Sequence, residues 1–299
     1  MSLRQNFLSD DRFDGFNFFC KVLHSSTNEA AITAVVSQLF PNPVVRPLAV
    51  NARQNIKLSR HFGTTCEYEC DDMECESSAQ LLEKKCIREA VEALTLILVQ
   101  SIRLMPELRK SGLFGNTGLD VIKKDYCSFI KHLRQHNLAS DNAFRKLEEA
   151  SGKVETLCNE VELAGIPSVL CHGGLGLHNL TCPQGEERRR LVFDWGEAAI
   201  SHPFFDIERA HGREEVDGSC FSSWSNYCDN DSALRAYRAI SALSQFWNVC
   251  KRLWPSIAMK SFLLSSEYRA DTSDCISYFL RAVNAWSLSD GHSQKKEGT

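Results

Sequence analysis

The period of the apolar positions changes several times along this 299-residue chain, and each change marks an element. Phe16 to Leu23 is an apolar run around Lys21 and predicts a strand. Glu29 to Leu39 carries Ile32, Val35, Val36 and Leu39 at helical spacing, with Ser25, Ser26, Thr27 and Asn28 available as caps and Pro41 and Pro43 as its stop. Val44 to Val50 and Asn55 to Leu58, separated by a polar NARQ turn, predict a hairpin or two adjacent strands. Ile87, Val91, Leu94, Leu98 and Ile102 share one face of a long helix. A second helix carries Ile122, Tyr126, Phe129, Ile130 and Leu133, and a third carries Phe144, Leu147, Ala150, Val154, Leu157 and Val161. Near Gly165 and Pro167 the period shortens, and the apolar runs 168–171 and 191–193 flank a Gly-rich loop and a polar turn. Helices over 232–254 and 275–286 follow, then a polar tail.

This pattern predicts a small mixed segment over 1–63, an acidic, cysteine-containing linker over 64–78, a helical segment over 79–286 and a tail over 287–299. Acidic residues outnumber Lys and Arg by 38 to 34, which leaves no basic field to grip a nucleic-acid backbone. The run Arg188-Arg189-Arg190 is expected to be a solvated turn. No 18-residue apolar stretch is present to span a bilayer, and the polar start MSLRQNFLSDDR does not read as a secretory signal, so a cytoplasmic location is expected, with neither membrane nor nucleic acid as partner. Thirteen cysteines at irregular spacing are expected mostly as small buried hydrophobes, Cys158 and Cys250 among them. Cys66, Cys70 and Cys75 sit among acidic residues, and two readings stay open: an acidic loop, or a zinc site completed by His61.

The chemistry is concentrated in VLCHGGLGLHNLTCP, from Val169, and LVFDWGEAAISHPFFDI, from Leu191. Short strands on either side would present His172, Asn179 and Asp194 along one edge of a cleft. A carboxamide and a carboxylate converging there can share a hard divalent cation that bridges phosphate oxygens. Taken singly, each has a plainer role: an Asn after a Gly loop is a turn residue, and an Asp before Trp-Gly is a turn or cap residue.

Together the two stretches resemble the choline, aminoglycoside and related small-molecule kinases. That family has a catalytic loop H-G-D-x-x-x-x-N, then I-D-W/F-x-x-A, then D/S-x-P-x-x-D-L/I. The match here is His172, Gly173 and Asn179, then Asp194, Trp195 and Ala198, then Ser201, Pro203, Asp206 and Ile207. Upstream, the segment around Lys21 and Glu29 resembles the strand and helix that carry the family's phosphate-contacting lysine and its glutamate partner, so the resemblance runs from about residue 13 to 286. It implies an α+β, protein-kinase-like two-lobe fold with an incomplete N-terminal β lobe and a mainly helical C-terminal lobe. It also implies ATP and Mg2+ as cofactors, with Lys21 and Glu29 at the nucleotide and Asn179 and Asp194 at the metal. His172 would brace the loop, and Asp206 would hold it through backbone hydrogen bonds. On the residues alone, Lys21 reads equally as a snorkelling edge-strand lysine and Glu29 as a first-turn helix acid.

Two departures bear on activity. The family's catalytic aspartate falls on Gly174, which has no group to receive a proton, a role worth about 10²–10⁴-fold. His178, just before Asn179, is the remaining candidate base. Second, twenty residues precede Lys21 and contain only Gly15, where a Gly-rich phosphate loop would stand. A shortened lobe with an open strand edge is therefore expected, inviting a protein partner to cover it. Two functions follow: an impaired ATP-dependent O-phosphotransferase acting on a small hydroxylated acceptor, with acidic loops favouring a cationic one, or a non-catalytic, pseudokinase-like ligand-binding or protein-interaction module.

Overall fold

The computed structural model describes residues 18–23, 28–60, 63–73, 75–182, 190–211, 216, 218–257, 274 and 276–286. Gly15, Phe16, Ser25, Ser26, Thr27, His61, Arg188, Arg189, Cys275 and the tail from 287 lie outside them. Packing gathers the chain into two units: Met1–Asn116 with Ser168–Glu215, and Thr117–Pro167 with Val216–Thr299.

In the first unit, β1 (Phe18–Val22), β2 (Pro47–Asn51) and β3 (Ile56–Arg60) form an antiparallel sheet in the order β1-β3-β2, with Lys21 opposite Lys57. Period-two alternation would turn Ile56 and Leu58 inward. The sheet does the reverse, burying Lys57 and Ser59. Helix α1 (Glu29–Leu39) lies where its periodicity predicts, with Ala30, Ile32 and Val36 buried. Its cap differs from the expected one. Asn28 makes no side-chain capping bond, and Asn55, in the hairpin turn at φ +51°, accepts the Ala30 N–H at 3.0 Å. An asparagine tolerates that left-handed backbone and supplies the acceptor that an opening helix lacks.

The expected linker is partly helical. Thr65 caps α2 (Cys66–Asp71) by accepting the Tyr68 N–H, and α3 (Glu76–Arg103) begins five residues later. Cys66 and Cys70 are buried while Cys75 is exposed beside Ser77. Among the described residues, no three His, Cys, Asp or Glu side chains are placed to hold a metal ion. Arg190 is also not solvated. It is buried, donating to Glu89 at 2.6 Å and to the Cys66 sulfur at 2.8 Å.

Helix α4 (Met105–Ser111) follows α3 and ends at Gly112, φ +65°. A second sheet, ordered β4-β6-β5, joins β4 (Gly115–Asn116), β5 (Val169–Cys171) and β6 (Ala199–Ser201). Ser101 of α3 anchors it by accepting the Leu170 N–H at 2.9 Å. Helix α8 (Phe204–His211) leaves β6 through Pro203 with Phe204 and Ile207 buried. The run 191–193 forms isolated bridges rather than a strand, pairing Val192 with Val44 and with Leu180.

The second unit is helical: α5 (Leu119–Gln135), α6 (Asp141–Glu149), α7 (Ser151–Leu163), α9 (Asn230–Ile257) and α10 over 276–286. The single helix expected over 144–161 is two, broken at Ala150, where Ser151 and Gly152 follow. Those residues lower helix propensity, while the apolar face stays buried on both sides of the break. Tyr126 packs edge-on to Phe246 at 5.3 Å and donates to the Leu147 carbonyl at 2.6 Å. No helix of the described residues is long and apolar enough to cross a membrane.

Candidate functional site

Strand β5 runs directly into His172, Gly173 and Gly174, and α8 folds back beneath them. Asp206, in the first turn of α8 and 1% exposed, accepts the His172 N–H at 2.5 Å and the Gly173 N–H at 2.9 Å. Burial pushes its carboxyl pKa up, outweighing the opposing pull of His172 and the two backbone donors. His172 is itself buried, and burial holds its imidazole below the usual value despite the neighbouring Asp206. Its Nδ1 accepts the Gly174 N–H at 3.2 Å, which leaves the proton on Nε2 to be donated to the Phe193 carbonyl at 2.8 Å. One imidazole thereby ties the glycine loop to the segment that carries Asp194.

Asn179 closes the same loop. Its amide nitrogen donates to the Gly174 carbonyl at 2.8 Å, and its own carbonyl accepts the Phe193 N–H at 3.1 Å, next to Asp194. Asp194 has φ +64°, ψ +57°, a left-handed conformation that a residue with a Cβ adopts at a cost. Lys21 donates to Asp194 Oδ1 at 2.8 Å and to Glu29 Oε1 at 2.9 Å. Burial would lower the Lys21 pKa, but the hydrogen bond and charge of Asp194, then those of Glu29, raise it. Burial raises the Asp194 carboxyl, but the hydrogen bond and charge of Lys21, with Glu29 and Lys57 behind them, together more than reverse this, so it stays below the usual carboxylate range. Lys57 donates to the same oxygen of Glu29 at 2.5 Å. Gly196 makes room for that glutamate, since a Cβ there would lie 3.0 Å from Glu29 Oε2.

Lys21, Glu29 and Asp194 thus form one network, while His172, Asn179 and Asp206 converge on the loop around Gly174. His178 is exposed and folds over its own loop, where a Cβ on Gly176 would lie 2.6 Å from its ring. Two residues escaped the sequence reading. Lys57 reads as an outward strand lysine, and only its pairing opposite Lys21 reveals it. Glu197 falls between Gly196 and Ala198, at a position the motif around Asp194 leaves unspecified. Its exposed side chain stands beside Gly174, with Oε2 3.3 Å from the place a Cβ would take there.

The donor set suits a hard cation. Asn179 spends its amide nitrogen on the loop, so its carboxamide oxygen is the atom left that could take a ligand, and the Asp194 carboxyl is held below the usual range.

A strand lysine paired with a helix glutamate and with an aspartate beyond a glycine loop is the arrangement of a protein-kinase-like fold. Solved structures place the chain within that fold. It is similar to a choline kinase, LicA, from Streptococcus pneumoniae (TM-score 0.54, 13% identity, 90% of this chain and 87% of that one). It is similar to an ethanolamine kinase from Plasmodium vivax (TM-score 0.59, 13% identity, 95% and 78%). A mutant aminoglycoside 2'-phosphotransferase-IIIa in complex with GDP is a third (TM-score 0.57, 12% identity, 94% and 88%). No protein-family model matches the sequence, and no curated protein sequence matches it.

Proposed function

We propose that this chain is a member of the choline and aminoglycoside kinase-like family that binds ATP and transfers its terminal phosphate to the hydroxyl of a small molecule. The observation that carries the reading is the network of Lys21 with Glu29 and Asp194, at 2.9 and 2.8 Å. A lone surface lysine has no need of two carboxylates, one of them 6% exposed. Lys21 would contact the nucleotide phosphates, with Glu29 and Lys57 fixing its direction. Asn179 and Asp194 would hold Mg2+, which when bound supplies positive charge against the transferred phosphoryl oxygens. His172 and Asp206 would keep the loop in register with Asp194, since phosphoryl transfer is catalysed mostly by positioning. By function, residues 1–63 would serve as the nucleotide lobe and 79–286 as the acceptor lobe, in a cytoplasmic protein. The solved neighbours include kinases of choline, ethanolamine and aminoglycosides, so a hydroxylated amine is the acceptor class to test first.

Gly174 favours a second reading, a nucleotide-binding module without transfer. Calorimetric titration with ATP and Mg2+ tests what the two readings share. Saturable binding is expected in the parent and its loss in Lys21→Met and Asp194→Ala. An isotherm unchanged in both variants would remove the site.

A further inference from the structure

The family's proton-accepting aspartate has no counterpart at Gly174, yet the space beside Gly174 holds a carboxylate. Glu197 reaches it from the 3-10 turn Trp195–Glu197. Its Oε2 and Cδ lie 3.3 and 3.7 Å from the point where a Cβ on Gly174 would stand. The turn and the loop are built against each other. At Gly173, φ +76°, any Cβ would run into the Glu197 carbonyl oxygen, so only glycine lets the two backbones approach this closely. His172 secures the same contact from below, bonded to Phe193 and packed edge-on to Trp195 at 4.7 Å. Glycine at 173 and 174 therefore leaves room for the side chain that follows Gly196, and that side chain is acidic and open to solvent.

Resting on the phosphotransfer reading above, we infer that Glu197 is the catalytic base of this protein, a carboxylate supplied from the facing turn to the place left empty by Gly174. As the acceptor's hydroxyl oxygen bonds to the terminal phosphorus of ATP, the bond from that phosphorus to the bridging oxygen breaks. The bridging oxygen leaves on ADP with the electron pair. Glu197 takes the hydroxyl proton and returns it to water after the products depart. General bases of this kind contribute about 10²–10⁴-fold, so the chain is a kinase with a relocated base.

The experiment measures Mg-ATP affinity by calorimetry and turnover on choline, ethanolamine, kanamycin and water in the parent, Glu197→Gln, Gly174→Asp and the double variant. Parental turnover on at least one acceptor is expected to fall at least about 100-fold in Glu197→Gln, in kcat and with unchanged nucleotide affinity. Gly174→Asp in that background should restore much of the loss, because it returns a carboxylate to the same space. A Glu197→Gln variant that binds Mg-ATP and turns over at the parental rate overturns the inference. So does a parent that binds Mg-ATP but turns over none of the four. A parent that fails to bind Mg-ATP overturns the phosphotransfer reading instead, and the base assignment falls with it.

Discussion

Lys57 and Glu29 meet at 2.5 Å with both side chains nearly sealed from solvent, so Lys21 shares its glutamate with a second, deeper lysine. Across the β1–β3 ladder the two lysines are directly opposed, and like charges so placed repel unless a carboxylate lies between them. Glu29 is that carboxylate. Glu29→Gln should cost about 3–5 kcal/mol, since it leaves the buried Lys57 without a carboxylate and opposite Lys21, which keeps only Asp194. Lys57→Met should cost less, about 1–3 kcal/mol, because Lys21 still neutralises Glu29. Urea denaturation of the two variants checks the order, and a larger loss for Lys57→Met would refute it.

Asp206 is predicted to act through two backbone groups. Asp206→Ala strips the acceptor from the buried His172 N–H and the half-buried Gly173 N–H and should destabilise by about 1–3 kcal/mol. Asp206→Asn keeps one oxygen acceptor and should fall between that variant and the parent. Equal midpoints for all three in thermal or chemical denaturation would show that these bonds contribute nothing net.

Gly173 and Gly112 separate backbone strain from steric conflict. Both have positive φ, but a Cβ on Gly112 meets open space whereas one on Gly173 meets the Glu197 carbonyl. Gly112→Ala should cost roughly 1 kcal/mol from its φ alone. Gly173→Ala should cost about 2 kcal/mol or more and should also move Glu197. Paired denaturation curves supply the comparison, with equal losses counting against the close approach of the two turns.

His202 gives stability a pH dependence of definite sign. It is buried, its Nδ1 accepts the Phe204 N–H at 3.3 Å, its Nε2 has no hydrogen-bond partner among the described residues, and burial pushes its imidazole pKa down to about 3. The unfolded chain titrates near about 6.5. Above that pH both states are neutral and the stability is fully present. As pH falls from there toward the folded value, only the unfolded chain takes up the proton, and stability drops by about 1.4 kcal/mol per pH unit. His202→Asn, which keeps an acceptor for Phe204, should lack this component. Between pH 7 and pH 5 the parent should therefore lose about 2 kcal/mol more than the variant. Parallel losses would mean that His202 is protonated in the native state.

What the sequence determined by itself was local. Helices α1, α3 and α5 could be read from apolar spacing, because a helical face is set within a few turns. The order and distance of His172, Asn179, Asp194 and Asp206 were equally legible, because a loop held by its own neighbours needs fixed spacing. The tertiary structure decided what depends on partners distant in sequence. Lys57 points inward against its strand's apolar alternation because Glu29, 28 residues away, meets its ammonium there with a carboxylate. Arg190 leaves a basic run for the interior because Glu89 and Cys66 receive it. Asn55 caps a helix that begins 26 residues before it, a job its own neighbours could not foretell. Glu197 comes to stand beside Gly174 only because two glycines let separate backbone turns pack closer than any residue with a Cβ would permit. That relation is encoded in no spacing of the chain, since it arises from the contact of two segments that the rest of the unit presses together.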